Sequence, residues 1–248
     1  MPSYRSGEPG RTSEAVLQER KEGQESKEQA VNAFLEAEIL RSTQPDELRK
    51  IAERVLDRAK DFQGRFEEQP GDKMTDEALT VDEICAFVQK EVQVRLEKKD
   101  FADKSNLFPY LDTQKSLRDR VVESILRNIF HGLGELRTAL LAGQDLQMEV
   151  YNEEDDLNSR CRDFVVFESK IENGKVLCGK VLGGYRVYTE SSTRPPYEFY
   201  EDVRPIERED VEKFSSRLRL EQGKQIPGLV LFNPENSLVG KISPKPKN

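Results

Sequence analysis

Residues 164–188 read FVVFESKIENGKVLCGKVLGGYRVY. Asn173-Gly174 lies near the centre of this stretch, and Asn-Gly is the strongest short signal for a two-residue hairpin, because a type I′ turn needs positive φ at both central positions. Such a turn fixes the register of the strands beside it. It sets Ile171 opposite Val176, Ser169 opposite Cys178, Phe167 opposite Lys180 and Val165 opposite Leu182, a largely apolar face. The other face carries Lys170, Glu168, Val166 and Phe164 against Leu177, Gly179, Val181 and Gly183. The chain therefore contains a sheet, and the side-chain period of two extends to LQMEVYN (146–152), YRVYTE (185–190) and YEFYEDV (197–203) around the Pro195-Pro196 corner. An acidic turn, EEDDLNSR (153–160), separates the first two strands, REDVEKFSSRLRLEQG (208–223) reads as one short helix, and GLVLF (228–232) with LVGKI (238–242) reads as a closing hairpin.

N-terminal to Leu146 the period is that of a helix. Residues 1–28 combine Gly, Ser, Pro and charge with few apolar side chains, so a flexible tail or fraying helix is expected there. Val31, Phe34, Leu35 and Ile39 form the first apolar stripe, which ends at STQP (42–45). Thr43 or Gln44 can cap the next helix, Pro45 suits its first turn, and Asp46 and Glu47 complement its dipole. Leu48, Ile51, Val55, Ala59, Phe62 and Phe66 share one side of it, at a heptad-like spacing that offers a route to homo-oligomerisation. Pro70-Gly71 breaks this helix, and Thr80 with Glu83 forms a capping box that opens a third, with Ile84, Phe87, Val88, Val92 and Leu96 on one face. In the loop that follows, Phe101, Leu107, Phe108 and Tyr110 are apolar enough to pin it to the bundle. Asp112 is placed to cap a fourth helix running from Leu117 through Val121, Ile125, Ile129, Leu133 and Leu136 to Leu140.

The fold class is thus α+β: an N-terminal helical bundle (29–145) followed by a small antiparallel β-rich module with one helix (146–242), with disordered tails at 1–28 and 243–248. The 248 residues allow two modules, and 35 % charged residues leave a modest core. A net charge of −8 argues against binding nucleic acid through the overall field, since phosphate contacts need a basic surface. No apolar run approaches the roughly 20 residues that cross a bilayer, and the N-terminus lacks an apolar signal region. Cys85, Cys161 and Cys178 are widely spaced, as expected of reduced thiols in a cytoplasmic protein rather than a disulfide or zinc framework.

Several motifs bear on chemistry. Glu168-Ser169-Lys170 resembles the ExK strand of PD-(D/E)xK nucleases, a likeness that implies a divalent ion held by Glu168 and an earlier acid such as Asp155, Asp156 or Asp163. In that family a helix usually follows, whereas Asn173-Gly174 turns this chain back as a strand, so a solvated sheet surface is the expected reading. The EEDD run (153–156) lacks the alternating oxygen ligands of a calcium loop. His131, the only histidine, has no GxSxG elbow to serve, and LCGKVLGG (177–184) has no GxxxxGK phosphate loop. Gly183-Gly184 is expected to permit a bulge or bend. The segment KVLGGYRVY (180–188) resembles the small β-domain of GrpE-type nucleotide exchange factors at Gly184, Tyr185 and Arg186, which implies action on a heat-shock chaperone. Pro45, Pro70 and Pro109 interrupt the helices where that family has one long paired helix.

The expectation that follows is a non-enzymatic interaction or adaptor protein with a protein partner, no cofactor and no metal. Its contact surface is expected in RPPYEFYEDVRP (194–205), where Arg194, Tyr197, Phe199, Tyr200 and Arg204 supply the residue types enriched at interface hot spots. A competing reading turns alternate residues of YEFYEDV toward the core. A metal-dependent nuclease and an exchange factor of the chaperone system are the alternatives.

Overall fold

A computed structural model describes residues 13–66, 80–103, 115–150, 161–191, 199–226 and 241–246. Five helices come first: α1 (Ser13–Ser42), α2 (Pro45–Phe66), α3 (Val81–Glu97), α4 (Leu117–Phe130) and α5 (Leu133–Ala142). They lead into β1 (Leu146–Val150), β2 (Cys161–Glu172), β3 (Lys175–Ser191) and β4 (Phe199–Pro205), then α6 (Arg208–Arg217) and β5 (Lys241–Pro244). The architecture is α+β, with an antiparallel sheet in the order β4-β3-β2-β1-β5.

Local signals place most of the helices. The Thr80 side chain accepts the Glu83 amide and the Glu83 carboxylate accepts the Thr80 amide, closing the capping box at the start of α3. The Thr80 hydroxyl, donating to the Glu83 carboxylate at 2.7 Å, and then the Thr80 amide hold the Glu83 carboxyl below its ordinary range. At α2, Pro45, Asp46 and Glu47 occupy the first turn, but the Thr43 hydroxyl turns back to donate to the Ile39 carbonyl at the end of α1 rather than capping α2. The cap of α4 is Ser116, whose hydroxyl accepts the Asp119 amide; Asp112 lies outside the described residues.

Of the two readings for residues 1–28, the described part, 13–28, takes the helical one: it forms the first turns of α1, exposed from Leu17 to Lys27, while residues 1–12 lie outside the described residues. Two helical expectations are corrected. The helix expected from Leu117 to Leu140 is two helices: Gly132, at φ 76, ends one and caps the other, so Leu133, Leu136 and Leu140 bury a face of their own on α5. Phe87 does not share the buried face of Ile84, Val88, Val92 and Leu96; it is 40 % exposed. The side chains of Phe62 and Phe66, and residues Leu107, Phe108 and Tyr110, lie outside the described residues, whereas Phe101 is buried as expected.

The hairpin turns where its Asn-Gly predicts, with φ 51 at Asn173 and 71 at Gly174. Its register follows the two-residue loop only as far as Ser169 opposite Cys178. Beyond it, Phe167 pairs with Val181, Val166 with Gly183 and Val165 with Gly184, not with Lys180 and Leu182. The cause is a pair of bulges. Glu168 leans over Gly179 so closely that a β-carbon there would lie 2.8 Å from its own, and its carboxylate accepts the Lys180 amide at 3.3 Å. The second irregularity falls at Leu182 and Gly183, where φ is +150, a value that glycine alone adopts readily. YRVYTE is consequently the distal part of β3 rather than a separate strand.

One face of the sheet, with Leu146, Met148, Val165, Phe167 and Ile242, shares a continuous buried core with the helices. α1 and α5 pack nearest the sheet, α2 contacts α3 and α4, and α6 lies against β2 and β3. Of the α2 stripe, Leu48, Val55 and Ala59 are buried inside the chain and Ile51 is half-buried, with Ala52 buried beside them. Ser243 and Pro244, expected in a C-terminal tail, pair with Gln147 and Leu146; residues 228–232 lie outside the described residues.

Candidate functional site

The β4 margin of the sheet is where the expected contact residues fall. Arg194 and Tyr197 lie outside the described residues. Phe199 and Tyr200 open β4, opposite Ser191 and Glu190, but their side chains are outside the described set. Arg204 is described. Its guanidinium reaches Asp202 at 2.6 Å and stands 5.1 Å over the Tyr188 ring, with 66 % of its side chain exposed. The side chain thus forms a surface ledge on the strand, not a core contact.

Glu201 through Pro205 are all exposed, so the reading that turns alternate residues of this strand into the core does not hold for them. Val203 is 58 % exposed, the most exposed large apolar side chain among the described residues. One ion pair ties this margin to β2, and a second joins β3 to β2 behind it. Arg162 reaches Glu201 at 3.1 Å on one face. On the other, Arg186 grips buried Asp163 through two N–H···O bonds of 2.6 and 2.8 Å, and that carboxylate holds the guanidinium protonated far above its ordinary range. Asp163, Arg186 and Arg204 lie side by side across β2, β3 and β4.

The other candidates are occupied differently. Glu168 serves the bulge, Lys170 is exposed, and the Ser169 hydroxyl donates to the Gln144 carbonyl at 3.5 Å. Asp163, one of the acids that a nuclease site would recruit, is engaged with Arg186, while Asp155 and Asp156 lie outside the described residues. Among the described residues no three His, Cys, Asp or Glu side chains converge as a metal site would require. His131 is exposed, with Nδ1 3.4 Å from Asp103. The thiols of Cys85 and Cys178 are pushed up by burial, Cys178 to about 11, which suppresses thiolate chemistry.

The three positions shared with the exchange factors have structural duties here. Gly184 gives room to Ile206, Tyr185 stacks on Phe164 at 5.0 Å and donates to Gln147, and Arg186 holds Asp163. Gln147 in turn donates to Ser243 at 3.1 Å, so one chain of hydrogen bonds crosses from β3 to β5.

A second surface was not foreseen from the sequence: a groove of about 280 Å³ between α3 and α4, lined by Phe87, Arg95, Arg118, Val122 and Leu126 among others. Arg118 stands over the Phe87 ring at 4.7 Å. Its sequence signal was Phe87, which the helical spacing had set on the apolar face of the third helix. No protein-family model, curated protein or solved structure matches the chain. Among the described residues no helix is long and apolar enough to cross a membrane.

Proposed function

We propose that this chain is a non-enzymatic interaction protein that binds another macromolecule through the β4 margin of its sheet. The observation that carries the reading is a strand at the edge of the sheet among the described residues, whose Glu201–Pro205 are all exposed, with an apolar side chain, Val203, at the middle of the run. Edge strands are ready templates for pairing, and β4 is held on its inner side by its full-length pairing with β3. Tyr188 and Arg204 supply an aromatic and an arginine at its rim, residue types that dominate binding energy at interfaces.

The test is affinity capture with the immobilised full chain, repeated with Val203→Lys and with Phe87→Ala as a control on the α3/α4 groove. Loss of the captured partner in Val203→Lys alone, at unchanged circular dichroism, is the expected result. Equal capture by wild type and Val203→Lys overturns the assignment of the site.

A further inference from the structure

Only one side of β4 is paired among the described residues, to β3. The Ile206 amide donates to the Gly184 carbonyl at 3.2 Å. Backbone groups alternate sides along an antiparallel strand, so Arg204 and Asp202 direct theirs to β3, while Val203, Glu201 and the Pro205 carbonyl direct theirs to the outer edge. Proline is thus placed where its missing N–H costs β3 nothing.

We propose that this outer edge pairs antiparallel with the same strand of a second copy of the chain, about a twofold axis through Val203. The inference rests on the reading of β4 as the contact surface and names its occupant. In this register the two Val203 residues face each other and exchange both of their backbone hydrogen bonds. Each Glu201 amide donates to the Pro205 carbonyl of the other copy. On the face that carries Tyr188 and Arg186, each Asp202 stands opposite Arg204 of the other copy, so the pair now formed within one strand is re-formed twice across the axis.

Neighbouring registers are excluded by the same residues. Centring the axis on Asp202 sets two carboxylates directly opposite, and centring it on Arg204 sets two guanidinium groups opposite; like charges across strands are destabilising. A one-residue slip between these puts side chains of opposite faces in register. Charges and proline on an edge discourage indiscriminate pairing. The order Glu-Asp-Val-Arg-Pro is complementary to itself in one alignment and repulsive in the next, which admits one partner and rejects others. A single short strand pair makes a small interface, so the association is expected to be weak.

The test is sedimentation of the full chain from roughly 1 µM to roughly 1 mM, a range that brackets a weak dimer. Wild type is expected to pass from monomer to dimer across it. Asp202→Arg and Arg204→Asp each set like charges opposite and should each weaken self-association at least about 10-fold. Mixed in equal amounts, the two variants become complementary and should form a heterodimer of near wild-type affinity. Val203→Pro removes an amide that points away from β3 and should also abolish dimerisation without loss of circular dichroism.

A wild type that stays monomeric throughout, or a dimer indifferent to both charge variants, overturns the proposal. So does a mixture that fails to restore association while each variant keeps its circular dichroism. Monomeric wild type combined with capture of a different partner that Val203→Lys abolishes overturns self-pairing and leaves the β4 contact surface standing. Monomeric wild type with capture indifferent to Val203→Lys overturns both.

Discussion

Gly184→Ala is the sharpest test of the sheet geometry, because the space for one methyl group is defined on two sides. A β-carbon at Gly184 would lie 2.6 Å from Ile206 Cδ1, 2.9 Å from its Cγ1 and 2.7 Å from the Phe164 carbonyl oxygen. The isoleucine tip can rotate aside. The carbonyl cannot, because it belongs to β2, the central strand of the sheet. Forcing a methyl into filled space costs about 1–3 kcal/mol, and the upper half of that range is expected here. Gly143→Ala is the comparator: φ is +64 with nothing within 4 Å, so its cost is backbone conformation alone, about 1–2 kcal/mol. Urea unfolding followed by circular dichroism reads both as midpoint shifts at unchanged slope. Ile206→Val clears Cδ1 from the site, so adding it to Gly184→Ala should cost at least about 0.5 kcal/mol less than adding it to wild type. A Gly184→Ala protein within about 0.5 kcal/mol of wild type, or strict additivity with Ile206→Val, refutes the packing described for this strand.

Two further outcomes follow from the buried ionisable groups. Asp163→Asn leaves Arg186 facing a neutral amide and should cost about 1–3 kcal/mol in urea unfolding, below the full cost of a broken buried pair because the Arg186 side chain is 35 % exposed while that of Asp163 is 7 % exposed; Arg186→Lys should fall in the same range, as an ammonium cannot reproduce the two-pronged bond, and a change under about 0.5 kcal/mol in both contradicts the assignment. The Cys178 thiol keeps its proton to about 11 in the folded chain, against 9.0 ordinarily. Because its folded value is raised, its contribution to stability is whole below pH 9 and is lost as pH rises from 9 toward 11, at up to about 1.4 kcal/mol per unit. Unfolding curves collected through that window should fall more steeply for wild type than for Cys178→Ala, and parallel curves would contradict the burial of the thiol.

Residues a few positions apart settled what was legible in the sequence. The I′ turn needs only the positive φ that Asn173 and Gly174 tolerate, the start of α3 needs only Thr80 and Glu83, and the stripes of α1 and α2 need only a helical repeat. These are local preferences, and a single sequence carries them whole. The break at Gly132 was written there too, in a glycine that reaches αL cheaply, but an uninterrupted apolar rhythm on both sides concealed it. Tertiary structure alone decided the rest. The register past Ser169 depends on Glu168 settling over Gly179 in the neighbouring strand. That Leu48, Val55 and Ala59 of α2 are buried inside the chain depends on α3 and α4 arriving beside them. That β4 is left at one margin among the described residues depends on β5 pairing with β1, at the other margin, rather than with β4, across nearly a hundred residues of intervening chain. The alternation of Glu201, Asp202, Val203 and Arg204 is the same in the sequence whether the strand is central or at an edge; only the strand order turns it into a surface, because pairing partners distant along the chain determine which backbone groups remain to be paired.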